Sequence, residues 1–141
     1  MGILSEFFVA APDDAPLYEE LSLQKSFPAD RFPRVQWKGL TSLELETLWA
    51  IADDRPWSPE TCTLEPIGEP DERWLFRFPD AFVARLASLT QEQFARAVDA
   101  WSKTEELACD AREIEPVLAS LVTLARTAKE SGRGMFLWGS V

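Results

Sequence analysis

The spacing of apolar residues changes from two to about 3.6 along this chain, and that change limits the folds open to it. Arg34 to Lys38 alternates, with Val35 and Trp37 on one side and Arg34, Gln36 and Lys38 on the other. Trp74, Phe76 and Phe78 repeat the alternation. Between and after these stretches the spacing turns helical. Leu45, Leu48, Trp49 and Ala52 form one stripe, Phe82, Val83 and Leu86 a second, and Phe94, Ala97, Val98 and Trp101 a third. Ile114, Leu118, Leu121, Val122 and Ala125 form the fourth. Strands that mix with runs of helix in this way make an α+β domain. The pattern predicts a small, mostly antiparallel sheet with four to five helices packed mainly on one side.

Local chemistry predicts the element ends. Thr41-Ser42-Leu43-Glu44 and Thr90-Gln91-Glu92-Gln93 are capping boxes, and Asp80 and Asp110 are set to cap the helices that follow them. Pro12-Asp13-Asp14 ends a first strand, Leu4 to Ala10, and opens a short helix from Ala15 to Leu23 with Pro16 in its first turn. Cys62 to Ile67 and Trp74 to Phe78 flank a Gly-Glu-Pro-Asp turn and predict a hairpin. Gly132 stops the last helix. Met135 to Trp138 are consecutively apolar, as expected of a closing strand buried on both faces. No repeat or linker divides the 141 residues, which read as a single globular domain, 1–141.

The formal net charge of −10 disfavours nucleic acid and anionic membrane surfaces and leaves open a basic protein partner or simple solubility. Residues 1–70 carry 13 acidic and 5 basic side chains, net −8, so most of the excess lies in that half. No apolar run is long enough to span a membrane. Two cysteines without CxxC spacing suit a reducing, cytoplasmic setting.

There is no histidine. That removes Ser-His-Asp and Cys-His nucleophile activation, the commonest acid–base group near neutral pH, and most zinc sites. No metal site, cofactor site or catalytic set is predicted. Carboxylate pairs are frequent, but adjacent residues on a helix point about 100° apart and do not make ready pairs. The single Gly132-Arg133-Gly134 follows a helix and precedes a strand, the reverse of a phosphate-binding loop.

Three functional readings follow. The leading one is a non-enzymatic, acidic protein-binding module, in its concrete form an immunity- or antitoxin-like protein that neutralises a basic toxin domain. Its candidate contacts are Asp13, Asp14, Glu19, Glu20, Asp53, Asp54 and Trp57, with Trp57 an aromatic anchor flanked by charge and proline. The second is a small carboxylate-based enzyme or a binder of anionic small ligands. It would use Arg34, Lys38 and Arg77, if their strands are neighbours, with Glu105 and Glu106, the former one helical turn from Trp101. The third is an accessory subunit of a larger assembly. Against each stands a plainer role: carboxylates as caps and solvated surface, cations as guards of a sheet edge, Trp101 as core.

Met1-Gly2 with Phe7-Phe8, the stretch Val35-Gln36-Trp37-Lys38-Gly39-Leu40, the stretch Trp101 to Leu107 and the closing segment Ala128 to Val141 carry a resemblance. In these the chain is similar to YfbM-like proteins, a group of small bacterial proteins. The resemblance implies no catalytic residues.

Overall fold

A computed structural model describes residues 4–15, 34–56, 58, 60, 62–68, 73–104 and 107–140. Within them, five strands form one antiparallel sheet: β1 (Leu4–Ala10), β2 (Arg34–Lys38), β3 (Glu65–Pro66), β4 (Arg73–Arg77) and β5 (Gly134–Ser140). Their order is β2-β1-β5-β4-β3. The four described α-helices are α1 (Ser42–Ala52), α2 (Asp80–Ala87), α3 (Gln91–Ser102) and α4 (Ala111–Ser131). A single 3₁₀ turn, Pro12–Asp14, follows β1. The expected helix from Ala15 to Leu23 lies, beyond Ala15, outside the described residues.

The consecutive apolar residues of β5 are explained by its place at the centre. It pairs with β1 on one side and β4 on the other. Alternation then divides its side chains between two cores. Phe7 and Val9 of β1 stand opposite Leu137 and Met135 and face the helices. Phe8 and Ala10 stand on the other face with Phe136 and Trp138, joined by Leu75 and Ala15. Phe8 and Phe136 are fully buried and stacked, with ring centres 5.3 Å apart.

The helices cover the first face. Every residue of the expected α4 stripe, from Ile114 to Ala125, is buried. Trp101 of α3 is fully buried and donates its indole N–H to the Glu44 carbonyl of α1 at 3.0 Å. It is therefore a core residue that ties two helices. Ser5 secures the corner between β2 and α1: its hydroxyl donates to the Leu40 carbonyl and accepts the Leu40 N–H at 3.2 Å. Gly139 leaves room for the Trp74 indole across the β4–β5 pair, since a Cβ there would lie 2.2 Å from Trp74 Nε1.

The ends follow their chemistry with two exceptions. Glu44 and Gln93 reach back to the N–H groups of Thr41 and Thr90, each at 2.9 Å, and Asp110 accepts the Arg112 N–H at 2.8 Å. Gly132 closes α4 with φ of 67°. Asp80, however, is the first residue of α2 rather than its cap; Pro79 precedes it, and the carboxylate bonds Arg77 at 3.2 Å instead. The strand expected over Cys62 to Ile67 shrinks to Glu65–Pro66. Pro66 has no N–H to extend the ladder, and the Leu64 N–H turns away to the Glu46 carboxylate at 3.0 Å.

Candidate functional site

β2 is an edge strand: among the described residues nothing pairs along its outer side. Its alternation aims Arg34, Gln36 and Lys38 at the face away from the helices and leaves all three exposed. Val35 and Trp37 point toward the helices and are half-buried. The Trp37 indole N–H donates to the Ser120 hydroxyl at 3.0 Å, and that hydroxyl donates to the Val117 carbonyl at 2.7 Å. The edge strand is thus pinned to the middle of α4 through its largest side chain.

Beside that pin runs an open groove of about 420 Å³. One wall is β2 and its continuation to Leu40; the other is the start of α4, with Leu107, Ile114 and Val117. Its lining is mainly apolar, with Glu113 at its edge. Cys109 also lines it. Burial, together with the negative charges of Glu113 and Asp110, pushes the Cys109 thiol above its ordinary pKa. A protonated thiol is a poor nucleophile. Neither cysteine is in a disulfide.

The acidic candidates do not form one surface. Asp13 and Asp14 leave β1 toward Ala15, which packs on the sheet face opposite the helices. Asp53 and Asp54 end α1 within the helical layer. Asp53 is already engaged: Arg85 of α2 donates to it at 2.8 Å, and Arg55 pairs with it at 3.3 Å. Asp54 is exposed, in the left-handed conformation with φ of 53°. Glu19, Glu20 and Trp57 lie outside the described residues.

Arg34, Lys38 and Arg77 do share one face of the sheet, but β2 and β4 are separated by β1 and β5. Three strand spacings put them about 14 Å apart, too far for one small anion. Arg34 is also committed to the buried Glu6 at 3.1 Å. Glu105 and Glu106 lie outside the described residues. Among the described residues no three His, Cys, Asp or Glu side chains are grouped to hold a metal ion, and no helix is long and apolar enough to cross a membrane.

The groove escaped sequence reasoning because its walls, ending at Leu40 and starting at Leu107, are far apart in the chain. Only Trp37 carried a local signal, as an apolar residue on a strand flanked by charges.

No family model matches the chain, and neither a curated protein nor a solved structure matches it. The class of protein is therefore defined by fold and surface alone: an antiparallel α+β domain with an exposed edge strand beside an apolar groove.

Proposed function

We propose that this chain is a non-enzymatic binding module for another protein, which adds a strand along the outer edge of β2 and inserts apolar side chains between Trp37 and α4. The observation that carries the reading is the conjunction of edge and groove. An added strand forms main-chain hydrogen bonds, and its alternate side chains fall into the space lined by Leu107, Ile114 and Val117. Trp37 is held in place beforehand by Ser120, which lowers the entropy lost on binding.

A second copy of the chain is a poor occupant. Antiparallel β2–β2 pairing centred on Gln36 sets Arg34 opposite Lys38 of the other copy, and like charges directly opposed are destabilising. The net charge of −10 selects instead for a basic protein, whose approach it accelerates. A cytoplasmic immunity- or antitoxin-type role, holding a basic toxin domain inactive, fits that charge and is the concrete form of the proposal.

Leu107→Asp places a carboxylate in the groove without touching the sheet. It should weaken partner binding at least tenfold in a calorimetric titration while leaving the thermal midpoint within a few degrees of the parent. Unchanged affinity in the folded variant would refute docking at this site.

A further inference from the structure

Hydrogen bonds inside the sheet decide which main-chain groups of β2 are left for a partner. Along an antiparallel strand, successive residues turn their N–H and C=O groups alternately to one neighbour and the other. The Phe78 N–H donates to the Met135 carbonyl at 2.9 Å, and these residues continue the register that sets Arg77 opposite Phe136. Phe78 and Met135 are thus a bonded pair, and Met135, Leu137 and Gly139 turn their main-chain groups to β4. On the far side of β4 the Ile67 N–H donates to the Leu75 carbonyl at 2.8 Å, as this alternation requires.

Phe136 and Trp138 then bond β1, where they stand opposite Phe8 and Glu6. That leaves Ser5 and Phe7 to bond β2, through Trp37 and Val35. The pairings run without a bulge from β4 to β2. The main-chain groups of Arg34, Gln36 and Lys38 therefore point to the open edge, while the side chains that face the helices belong to Val35 and Trp37.

We infer that the partner of β2 is an antiparallel extended segment of alternating pattern. Apolar residues stand opposite Val35 and Trp37, and neutral residues other than proline stand opposite Arg34, Gln36 and Lys38. This rests on the reading that a partner adds a strand here, and it gives that partner a direction and a sequence pattern. Every pairing in the sheet is antiparallel, and parallel pairing is slightly weaker per residue. Antiparallel addition lets Arg34, Gln36 and Lys38 each exchange bonds with the residue directly opposite, so proline is excluded at those places. It leaves Trp37 in a non-bonded pair, where facing Cα atoms come within about 4.5 Å and side chains meet most closely. The apolar residue opposite Trp37 thus packs on an indole that Ser120 already holds, beside Ile114 and Val117. Basic residues flanking the segment suit Glu113, exposed at the edge of the groove, and the net charge of −10.

Direction can be read from the partner's own N–H groups. In antiparallel addition, the residues that bond the edge are those whose side chains point away from the groove. In parallel addition, they are the groove-facing ones.

The test titrates the whole chain with a palindromic peptide, acetyl-Lys-Thr-Leu-Thr-Leu-Thr-Lys-amide, which offers the same side chains in both directions. Backbone amide shifts of Arg34–Lys38 and Leu107 should move in a saturable way. Methylating the central threonine nitrogen should weaken binding by about tenfold or more, whereas methylating either leucine nitrogen should change it by less than about threefold. Gln36→Pro removes an N–H from the open edge and no bond to β1. It should keep the parental spectrum outside β2 and weaken the peptide by about tenfold. Greater sensitivity to the leucine methyl groups, or equal sensitivity to both, would overturn the inference; docking itself would stand if Leu107→Asp still abolished binding. No shift in β2 at about 5 mM peptide, or binding indifferent to Leu107→Asp, would overturn both.

Discussion

Glu46 shows how far the negative charge of the first half is spent inside the fold. It lies on α1, half-buried, and accepts the Leu64 N–H at 3.0 Å. Burial raises its pKa from the ordinary 4.5, and the bond to Leu64 only partly offsets this. The folded state thus holds the Glu46 proton more tightly than the unfolded chain does. Its favourable contribution is complete below the unfolded pKa and is lost as pH rises through the folded value. Glu46→Gln keeps an oxygen for Leu64 and removes the buried charge. The variant should melt higher than the parent at pH 7, and the difference should vanish in melts recorded below about pH 4. Glu44, Glu6 and Asp53 are engaged as well, in a cap, with Arg34 and with Arg85. Counting acids along the sequence cannot separate these from acids turned to solvent, because their partners are distant in the chain or in the backbone.

Among the elements, α4 departs most from its intrinsic preferences. Pro116 sits inside it, beyond the first turn, where it has no N–H to give and its ring crowds the preceding turn. The helix persists because eight of its side chains are buried against the sheet and the other helices. Pro116 is exposed, so Pro116→Ala disturbs no packing. It should stabilise the protein by about 1–3 kcal/mol, measured as a higher urea midpoint with unchanged slope. The same element shows what was legible. Its start at Asp110, its apolar stripe and its stop at Gly132 are local signals, and so are the capping boxes at Thr41 and Thr90. Strand order is not local. The alternation put Arg34, Gln36 and Lys38 on one face of their strand, but joining Arg77 to them required neighbouring strands, and nothing near them in the chain showed that β1 and β5 come between. The truncated β3 was misread because Cys62 and Leu64 are buried by the fold rather than by strand alternation. The groove is a product of tertiary assembly, which sets β2 beside α4.

At the scale of the molecule, the sheet carries α1 to α4 on one face and, among the described residues, has β2 and β3 as its two edges. β3 is a two-residue edge ended by proline, which makes it a poor template for another strand. β2 is longer, carries cations on its exposed face, and borders the apolar groove. On the proposed reading, the cations that discourage self-pairing would suit a partner whose opposing residues are neutral or acidic, and the overall negative field would draw a basic partner in. Hydrogen exchange at β2 tests this most directly, comparing the chain alone with the complex it forms with the protein that co-purifies from native cells. The account predicts that, in the free chain, alternate amides of Arg34–Lys38 exchange rapidly while β1 and β5 stay protected, and that the complex protects those amides together with Leu107. Edge amides already protected in the free chain, or left unprotected in the complex, would contradict it.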